Sequence, residues 1–205
     1  MRSGGWWPFV SGCPPVRLGQ CAEGELGFPA EAARSRFAGP LTYASGIWEP
    51  VDWAPFDIAA TDAYRDASNA STFRSELRKQ LQHGKPLAVT EFGSCAYAGA
   101  AGRGGMGWAI IDDSTDPPRL DGDYQRDESE QVRYLEELNA IFAEEGVDLA
   151  FWFTFAGYGM PRRDDRRVDL DMASYGVVAL LDDNGTQWRP KESFHALAAA
   201  YGGTV

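Results

Sequence analysis

The sequence contains few histidines, few cysteines and no long apolar run. No stretch approaches the roughly 18 apolar residues that a membrane-spanning helix needs, so the sequence predicts no membrane association. The only two histidines, His83 and His195, have no cysteine or histidine neighbour at a spacing typical of metal ligands. We therefore predict no metal site.

The cysteines and the first residues bear on the cellular compartment. Cys13, Cys21 and Cys95 are an odd number without metal-like spacing, which favours free thiols in a reducing compartment. Residues 1–15 contain one basic residue and no sustained apolar region, so they make a poor signal peptide. The sequence alone thus predicts a cytoplasmic protein.

Acidic residues outnumber basic ones, which gives a formal net charge of −11. Nucleic acids and anionic membranes are bound by clustered cations, so the sequence predicts neither as a partner. Aromatic residues, in contrast, make up 13% of the chain and include seven tryptophans. Such side chains pack in cores, and when exposed they also stack on flat apolar faces such as those of sugar rings.

From residue 41 onward, short apolar segments alternate with helical patterns, whereas residues 1–40 are irregular apart from a short helix near Pro29–Phe37. Buried strands joined by helical crossovers predict a parallel sheet in an α/β domain over residues 41–205. The predicted strands are Leu41–Trp48, Phe56–Tyr64, Lys85–Gly93 and Val147–Phe155, and the predicted helices are about Ser71–His83, Asp127–Gly146 and Pro190–Tyr201.

Residues 94–126 are rich in Gly and Asp and show little pattern, which is typical of a functional or disordered loop. Gly102–Gly107 formally fits a G-x-G-x-x-G motif, but no capped helix follows it, so we predict a flexible active-site flap and no nucleotide or other cofactor. Asp121, Asp123 and Asp127 imitate part of a calcium loop. The glycine that such a loop needs at its sixth position is missing, which favours a solvated acidic loop.

The most informative stretch is KPLAVTEFG, in which Glu91 follows a short buried strand. A carboxylate at the carboxyl end of such a strand is how α/β barrels present catalytic groups. Keeping it away from water is costly unless it is paired or used. Glu91 is therefore the first candidate for chemistry.

An ordered set of features resembles a known family. One strand ends in TEFG, the strand before it ends in DAY, and the strand after it carries FWF, with a helix after each. This set resembles the C-terminal half of a TIM-barrel glycoside hydrolase, in the large clan whose catalytic glutamates end the fourth and seventh strands. The resemblance implies a partial (β/α) barrel of about strands five to eight, with the helices outside. Loop segments such as DLDMASYGVV are also similar to actinobacterial proteins labelled abortive phage infection proteins.

Carried over residue by residue, the resemblance implies that Glu91 is the nucleophile and that Tyr64 hydrogen-bonds to it. Trp152 would form the floor under the sugar, although any of the flanking phenylalanines could face inward instead. Retaining hydrolysis needs a second carboxyl group about 5–5.5 Å from the nucleophile. The predicted rim also contains further candidates for substrate contact: Trp48, Glu49 and Asp62.

The resemblance does not extend to the acid/base residue. In the clan this residue is a glutamate, usually in an Asn-Glu pair at the end of the fourth strand. No Asn-Glu dipeptide occurs in the sequence, and only Glu25, or Glu23 beside it, precedes the predicted fifth strand as a substitute. An eight-unit barrel takes about 250 residues, and four units already occupy residues 41–201 here. We therefore expect a truncated barrel, a fragment, or a half-barrel that pairs with something.

Two functions remain open at this point. One is a glycoside hydrolase that cleaves O-glycosidic bonds by a retaining two-carboxylate mechanism, inactive if this chain lacks an acid. The other is a catalytically dead carbohydrate-binding or interaction module on the same scaffold. Because half a barrel exposes two sheet edges and apolar faces, we also expect a homodimer, low solubility, or an N-terminal segment over the opening.

Overall fold

The computed structural model describes residues 27–202 of the chain. Helices and strands alternate in the predicted order. The helices are α1 (Gly27–Arg34), α2 (Phe73–Leu81), α3 (Glu128–Glu145) and α4 (Glu192–Ala200). The strands are β1 (Ser45–Gly46), β2 (Ala59–Asp62), β3 (Leu87–Phe92), β4 (Ile111–Asp112), β5 (Arg119–Leu120), β6 (Leu149–Trp152), β7 (Val178–Leu180) and β8 (Trp188–Pro190).

The main sheet has four parallel strands in the order β1-β2-β3-β6. Two of the connections between these parallel strands contain a helix: α2 lies between β2 and β3, and α3 lies between β3 and β6. Two small antiparallel pairs, β4–β5 and β7–β8, lie outside this sheet. The predicted α/β class and parallel sheet are therefore confirmed.

The helices pack on the sheet through apolar stripes. Phe73 and Leu77 of α2 and Leu138 and Phe142 of α3 share one buried cluster with Phe92 of β3. Phe92 and Phe142 meet edge to face, with ring centroids 5.1 Å apart. Burying side chains of this size contributes about 1.5–3 kcal/mol each, so this cluster is a main source of stability.

Several element boundaries differ from the prediction. The first strand contains only two residues, and the chain before it is held by a mixture of backbone and side-chain hydrogen bonds instead of a regular ladder. The backbone N–H of Leu41 donates to Asp57 Oδ2 (2.7 Å), and Thr42 Oγ1 donates to Ile58 O (2.9 Å). The helix α2 spans Phe73–Leu81 and is thus shorter at both ends than the predicted range of about Ser71–His83.

Residues 94–126, predicted as a functional or disordered loop, contain regular structure and buried side chains. They contain a 3-10 helix (Ala100–Met106) and the β4–β5 hairpin. Tyr97, Ile110 and Leu120 are buried in a cluster with Met172. These apolar residues are widely spaced and find their partner about 50 or more positions along the chain, so no local periodicity could reveal them.

A buried ionic network joins α3, the segment after β6, and α4. Arg126 donates to Asp169 (2.9 and 3.0 Å) and to Asp171 Oδ2 (2.8 Å). Lys191, which is fully buried, lies with its Nζ 2.9 Å from Asp171 Oδ1. Arg126 also contacts Glu128 at 3.1 Å. Buried charges are tolerated when they are paired in this way, so the network fixes the start of α4 against the start of α3.

Among the described residues, no strand pairs with the outer side of β1 or of β6 itself, but the chain just after β6 forms a parallel bridge between Ala156 and Val178 of β7. No helix in the described part of the chain is long and apolar enough to cross a membrane. The division into an irregular 1–40 segment and a 41–205 domain stays a prediction, because residues 1–26 lie outside the described part.

Candidate functional site

The carboxyl ends of the four parallel strands bring the predicted residues to one edge of the sheet. Gly46 at the end of β1 is paired with Asp62, and Asp62 is paired with Glu91. Phe92 is paired with Trp152 at the end of β6. The register shifts just before the last pairing in both the β2–β3 and β3–β6 ladders, and such irregularities change the direction of nearby side chains. This edge is the one at which α/β barrels carry their active sites.

Tyr64 and Glu91 form the centre of the candidate site. The Tyr64 hydroxyl donates to Glu91 Oε2 at 3.2 Å, and both side chains are half-buried. Burial raises the pKa of Glu91, repulsion from Asp62 raises it further, and the Tyr64 hydrogen bond acts in the opposite direction. The pKa of Tyr64 is raised by burial and by the charge of Glu91, so the hydroxyl keeps its proton and remains a donor.

Asp62 lies between two other carboxyl groups. Thr90 Oγ1 donates to Asp62 Oδ1 at 2.9 Å. Burial raises the pKa of Asp62, Thr90 lowers it, and the charge of Glu49 raises it. Because Asp62 in turn repels Glu91, these three carboxyl groups form an electrostatically coupled row. Because their pKa values are raised, Asp62 and Glu91 bind protons more readily than isolated carboxyl groups do.

Glu49 and Trp48 occupy the turn after β1. Glu49 Oε2 accepts from the backbone N–H of Gly46 (2.7 Å), and Oε1 accepts from the Tyr43 hydroxyl (3.3 Å). Its carboxylate therefore holds the turn. The Trp48 side chain is 80% exposed, and a Cβ on Gly46 would come within 2.6 Å of its ring. The indole thus lies over Gly46 with its remaining surface open to solvent.

Neighbouring aromatic residues after β6 point in different directions. Trp152 packs edge to face against Phe92, with centroids 5.4 Å apart, and its indole N–H donates to Tyr175 O at 2.9 Å. Phe153 packs instead near the Tyr175 ring (6.0 Å), which lies 5.8 Å from the Tyr64 ring. Successive strand residues face opposite ways. Trp152 as the sugar platform stays a prediction, and Phe153 is the alternative that these contacts bring nearer to Tyr64.

The 3-10 helix Ala100–Met106 covers the Tyr64 ring. A Cβ on Gly105 would lie 3.2 Å from Tyr64 Cγ. The Tyr175 hydroxyl donates to Gly104 O (2.8 Å) and accepts from the N–H of Gly107 (2.9 Å). Both hydrogen bonds are buried and hold the glycine-rich run in place, which differs from the flexible flap predicted for it. No helix N-terminus follows the run to cradle a phosphate.

Not all predicted residues meet at this edge. Glu25 and the neighbouring Glu23 lie outside the described residues. Among the described residues, Asp62 is the carboxyl group that β-sheet pairing places beside Glu91. The Cys95 thiol is buried, donates to Ala173 O at 3.1 Å, and has its pKa raised by burial. A buried thiol with a raised pKa is a poor nucleophile, which favours a structural role for Cys95. Within residues 27–202, no cluster of three or more His, Cys, Asp or Glu side chains could hold a metal ion.

Sequence reasoning missed Thr90 and Tyr175. Thr90 immediately precedes Glu91, so its hydroxyl could have been considered for the neighbouring strand end. Tyr175 lies in a segment without periodicity. Its hydroxyl contacts Gly104, 71 positions earlier, and its ring contacts the still more distant Tyr64. Only the folded chain reveals that role.

Comparisons with known proteins support the fold. No protein-family model and no curated protein matches the chain by sequence. Among solved structures, it is similar to a GH113 β-1,4-mannanase complex, with a TM-score of 0.58 and 14% identity over 87% of this chain and 50% of that one. A GH113 β-mannanase from Alicyclobacillus acidocaldarius gives a TM-score of 0.54 and 18% identity, over 86% of this chain and 49% of that one. The fold is a partial TIM barrel.

The chain spans about half the length of these structures. At such low identity the likeness establishes the fold alone, so the roles of individual residues remain proposals. The similarity to proteins labelled abortive phage infection proteins gains no support from these comparisons.

Proposed function

We propose that this chain carries the nucleophile side of a glycosidase site that acts on O-glycosidic bonds by a retaining mechanism. The observation that supports it best is the 3.2 Å hydrogen bond from the Tyr64 hydroxyl to Glu91 Oε2. It lies at the carboxyl edge of a parallel sheet in a partial TIM barrel, where catalytic groups of such barrels belong. A positioned carboxylate with one oxygen held and the other free is what a glycosyl nucleophile requires.

In this proposal Glu91 attacks the anomeric carbon as the bond to the leaving oxygen breaks. A carboxylic acid must protonate that oxygen, and the same residue then removes a proton from the water that releases the sugar. Asp62 is the candidate acid within the described residues, because it is paired with Glu91 across β2 and β3 and has a raised pKa. Glu25 is the candidate from outside them.

The sugar would contact the aromatic residues of the rim. Two flat aromatic faces are available at this edge: the exposed indole of Trp48, and either Trp152 or Phe153. They lie at opposite ends of the edge, because Trp48 follows the outer strand β1 and the other two lie at the end of the outer strand β6. The similar solved structures are described as β-1,4-mannanases, so β-1,4-linked manno-oligosaccharides are the first substrates to test.

The second candidate function is carbohydrate binding without hydrolysis. It is favoured by the sequence itself, in which no Asn-Glu pair supplies the acid that the resemblance leads one to expect. On this view Glu91 and Asp62 accept hydrogen bonds from sugar hydroxyl groups. The aromatic side chains would supply the remaining affinity.

The deciding experiment measures hydrolysis and binding in parallel. Manno-oligosaccharides and a panel of aryl glycosides are incubated with the full chain, with E91Q and with E31Q, a control on the exposed face of α1. Product release is followed by chromatography, the anomer of the first product by NMR, and affinity by calorimetry. An active enzyme should lose several orders of magnitude in rate through E91Q and nothing through E31Q.

Retention of the anomeric configuration would support the nucleophile role, and inversion would contradict it. Saturable binding without hydrolysis, weakened by alanine at Trp48 or Phe153, would establish the binding function instead. Neither hydrolysis nor binding across the panel, by a chain with a cooperative unfolding transition, would overturn both.

A further inference from the structure

A concave surface lined by arginines lies at the segment that follows β6. The cavity has a volume of about 410 Å³ and is lined by four arginines, two aspartates and a glutamine: Arg126, Arg162, Arg163, Arg166, Asp164, Asp169 and Gln125. This concentration of positive charge stands out in a chain whose formal net charge is −11. None of these residues belongs to the Glu91 edge described above.

Part of this charge is already neutralised by structural contacts. Arg126 is bound by Asp169 and Asp171, as described for the buried network. Asp169 Oδ1 also accepts from the backbone N–H of Arg163 at 3.1 Å. The Arg163 guanidinium donates to Asp183 and to Arg162 O. These groups form the rigid wall of the cavity.

The other two arginines are only loosely paired. Arg162 Nη1 lies 3.8 Å from Asp164 Oδ1, and the Asp164 side chain is fully exposed. Arg166 Nη1 lies 3.9 Å from Asp123 Oδ1, and both of these side chains are largely exposed. The Nε of Arg162 is buried and has no hydrogen-bond partner among the described residues. Two guanidinium groups in one cavity therefore retain unused donors, and an unused buried donor is costly to maintain.

We propose that this cavity binds a small oxyanion, namely a carboxylate, sulfate or phosphate group. The planar fork of a guanidinium matches the paired oxygens of these groups, and charge-assisted hydrogen bonds of this kind are stronger than neutral ones. An oxyanion between Arg162 and Arg166 takes up the donors that Asp164 and Asp123 leave unused. The cavity volume suits one such group with a small attached molecule, and the site acts independently of Glu91.

The test is calorimetric titration of the full chain with inorganic phosphate, inorganic sulfate and glucuronate in separate runs at constant ionic strength set with sodium chloride. The three probes distinguish a free inorganic anion from a sugar carboxylate. The proposal expects saturable binding of at least one of them. The double variant R162Q/R166Q should weaken it at least tenfold, since each lost charged hydrogen bond costs about a tenfold factor or more. R36Q, at an exposed arginine after α1, should leave it unchanged.

Two further variants separate recognition from damage to the fold. D164N removes the carboxylate beside Arg162 and should tighten binding, a gain that misfolding cannot produce. R162K keeps the charge but loses the fork, and should weaken binding. Unchanged affinity in R162Q/R166Q, equal weakening by R36Q, or no saturable binding of any probe would overturn the proposal.

Discussion

At the scale of single residues, Glu91 and Asp62 are held beside each other at an electrostatic cost. Burial raises the pKa of both carboxyl groups, and each has a like charge next to it. The hydrogen bonds from Tyr64 and Thr90 offset only part of this. Carboxyl groups that lower stability and yet lie together at the carboxyl edge of the sheet are typical of functional sites.

This cost has a defined pH dependence. A carboxyl group whose pKa is higher in the folded state destabilises the fold once the unfolded chain ionises, which for Glu91 occurs near the ordinary glutamate pKa of 4.5. E91Q and D62N, which keep the acceptor oxygens, should therefore stabilise the protein at pH 7. The gain should be on the order of 1 kcal/mol or less, because both side chains are half-exposed and water screens the repulsion.

Thermal unfolding of the wild type and both variants between pH 3.5 and 8 measures this difference. The gain should shrink as the pH falls and be smallest at the low end of this range, below the ordinary values of 3.8 for Asp62 and 4.5 for Glu91, where the carboxyl groups of the folded and unfolded chains are both largely protonated. E31Q, at an exposed position, should follow the wild type at every pH. A gain that persists undiminished at low pH would show that packing, and not charge, causes it.

At the scale of elements, the strands and helices were predictable and the cover over Tyr64 was not. The apolar run before Glu91 and the stripe that includes Leu138 and Phe142 have regular periods, and both became the predicted elements. Residues 94–126 have no period, because their order arises from contacts with distant segments such as the one containing Tyr175. The site was predictable where it coincides with strand ends, and unpredictable where loops bring residues to it.

The fit of the glycine run over Tyr64 makes a specific prediction. G105A adds a Cβ 3.2 Å from Tyr64 Cγ, so the ring or the 3-10 helix must move by a few tenths of an ångström. This movement displaces the Tyr64 hydroxyl, so its hydrogen bond to Glu91 becomes weaker. G102A, in the same helix, meets nothing within 4 Å and serves as the matched control.

Hydrogen exchange over residues 99–107 and the Glu91 carboxyl pKa, followed by carbon NMR, measure the effect. G105A should speed exchange there and raise the Glu91 pKa, since the Tyr64 hydrogen bond lowers it. G102A should change neither quantity, apart from a small stabilisation from reduced unfolded-state entropy. The same response from both variants would mean that the helix does not position Tyr64.

At the scale of the whole molecule, the sheet is an open segment of a barrel. The chain spans about half the length of the similar structures, and no strand pairs with the outer side of β1 or β6 among the described residues. Beyond β6 the backbone is paired, because Phe155 O accepts from the N–H of Val178, so the open edge is β6 itself. Along and after β6, Leu149, Phe151 and Phe155 are 43%, 54% and 48% exposed, and Trp188 beside Phe155 is 46% exposed. An unpaired strand with apolar side chains is a surface on which another strand can add.

The homodimer expected from the sequence therefore has a defined location to test. If two copies associate through β6, F151K should shift the protein toward monomer, because a lysine at a strand edge opposes pairing and removes an apolar contact. F37K replaces an equally exposed phenylalanine (53%) near the end of α1 and should leave association unchanged. Light scattering coupled to size exclusion, over a range of protein concentrations, gives the mass of each. A wild-type mass that stays monomeric at every concentration would exclude this interface, and the open edge would then have to be covered from within the same chain.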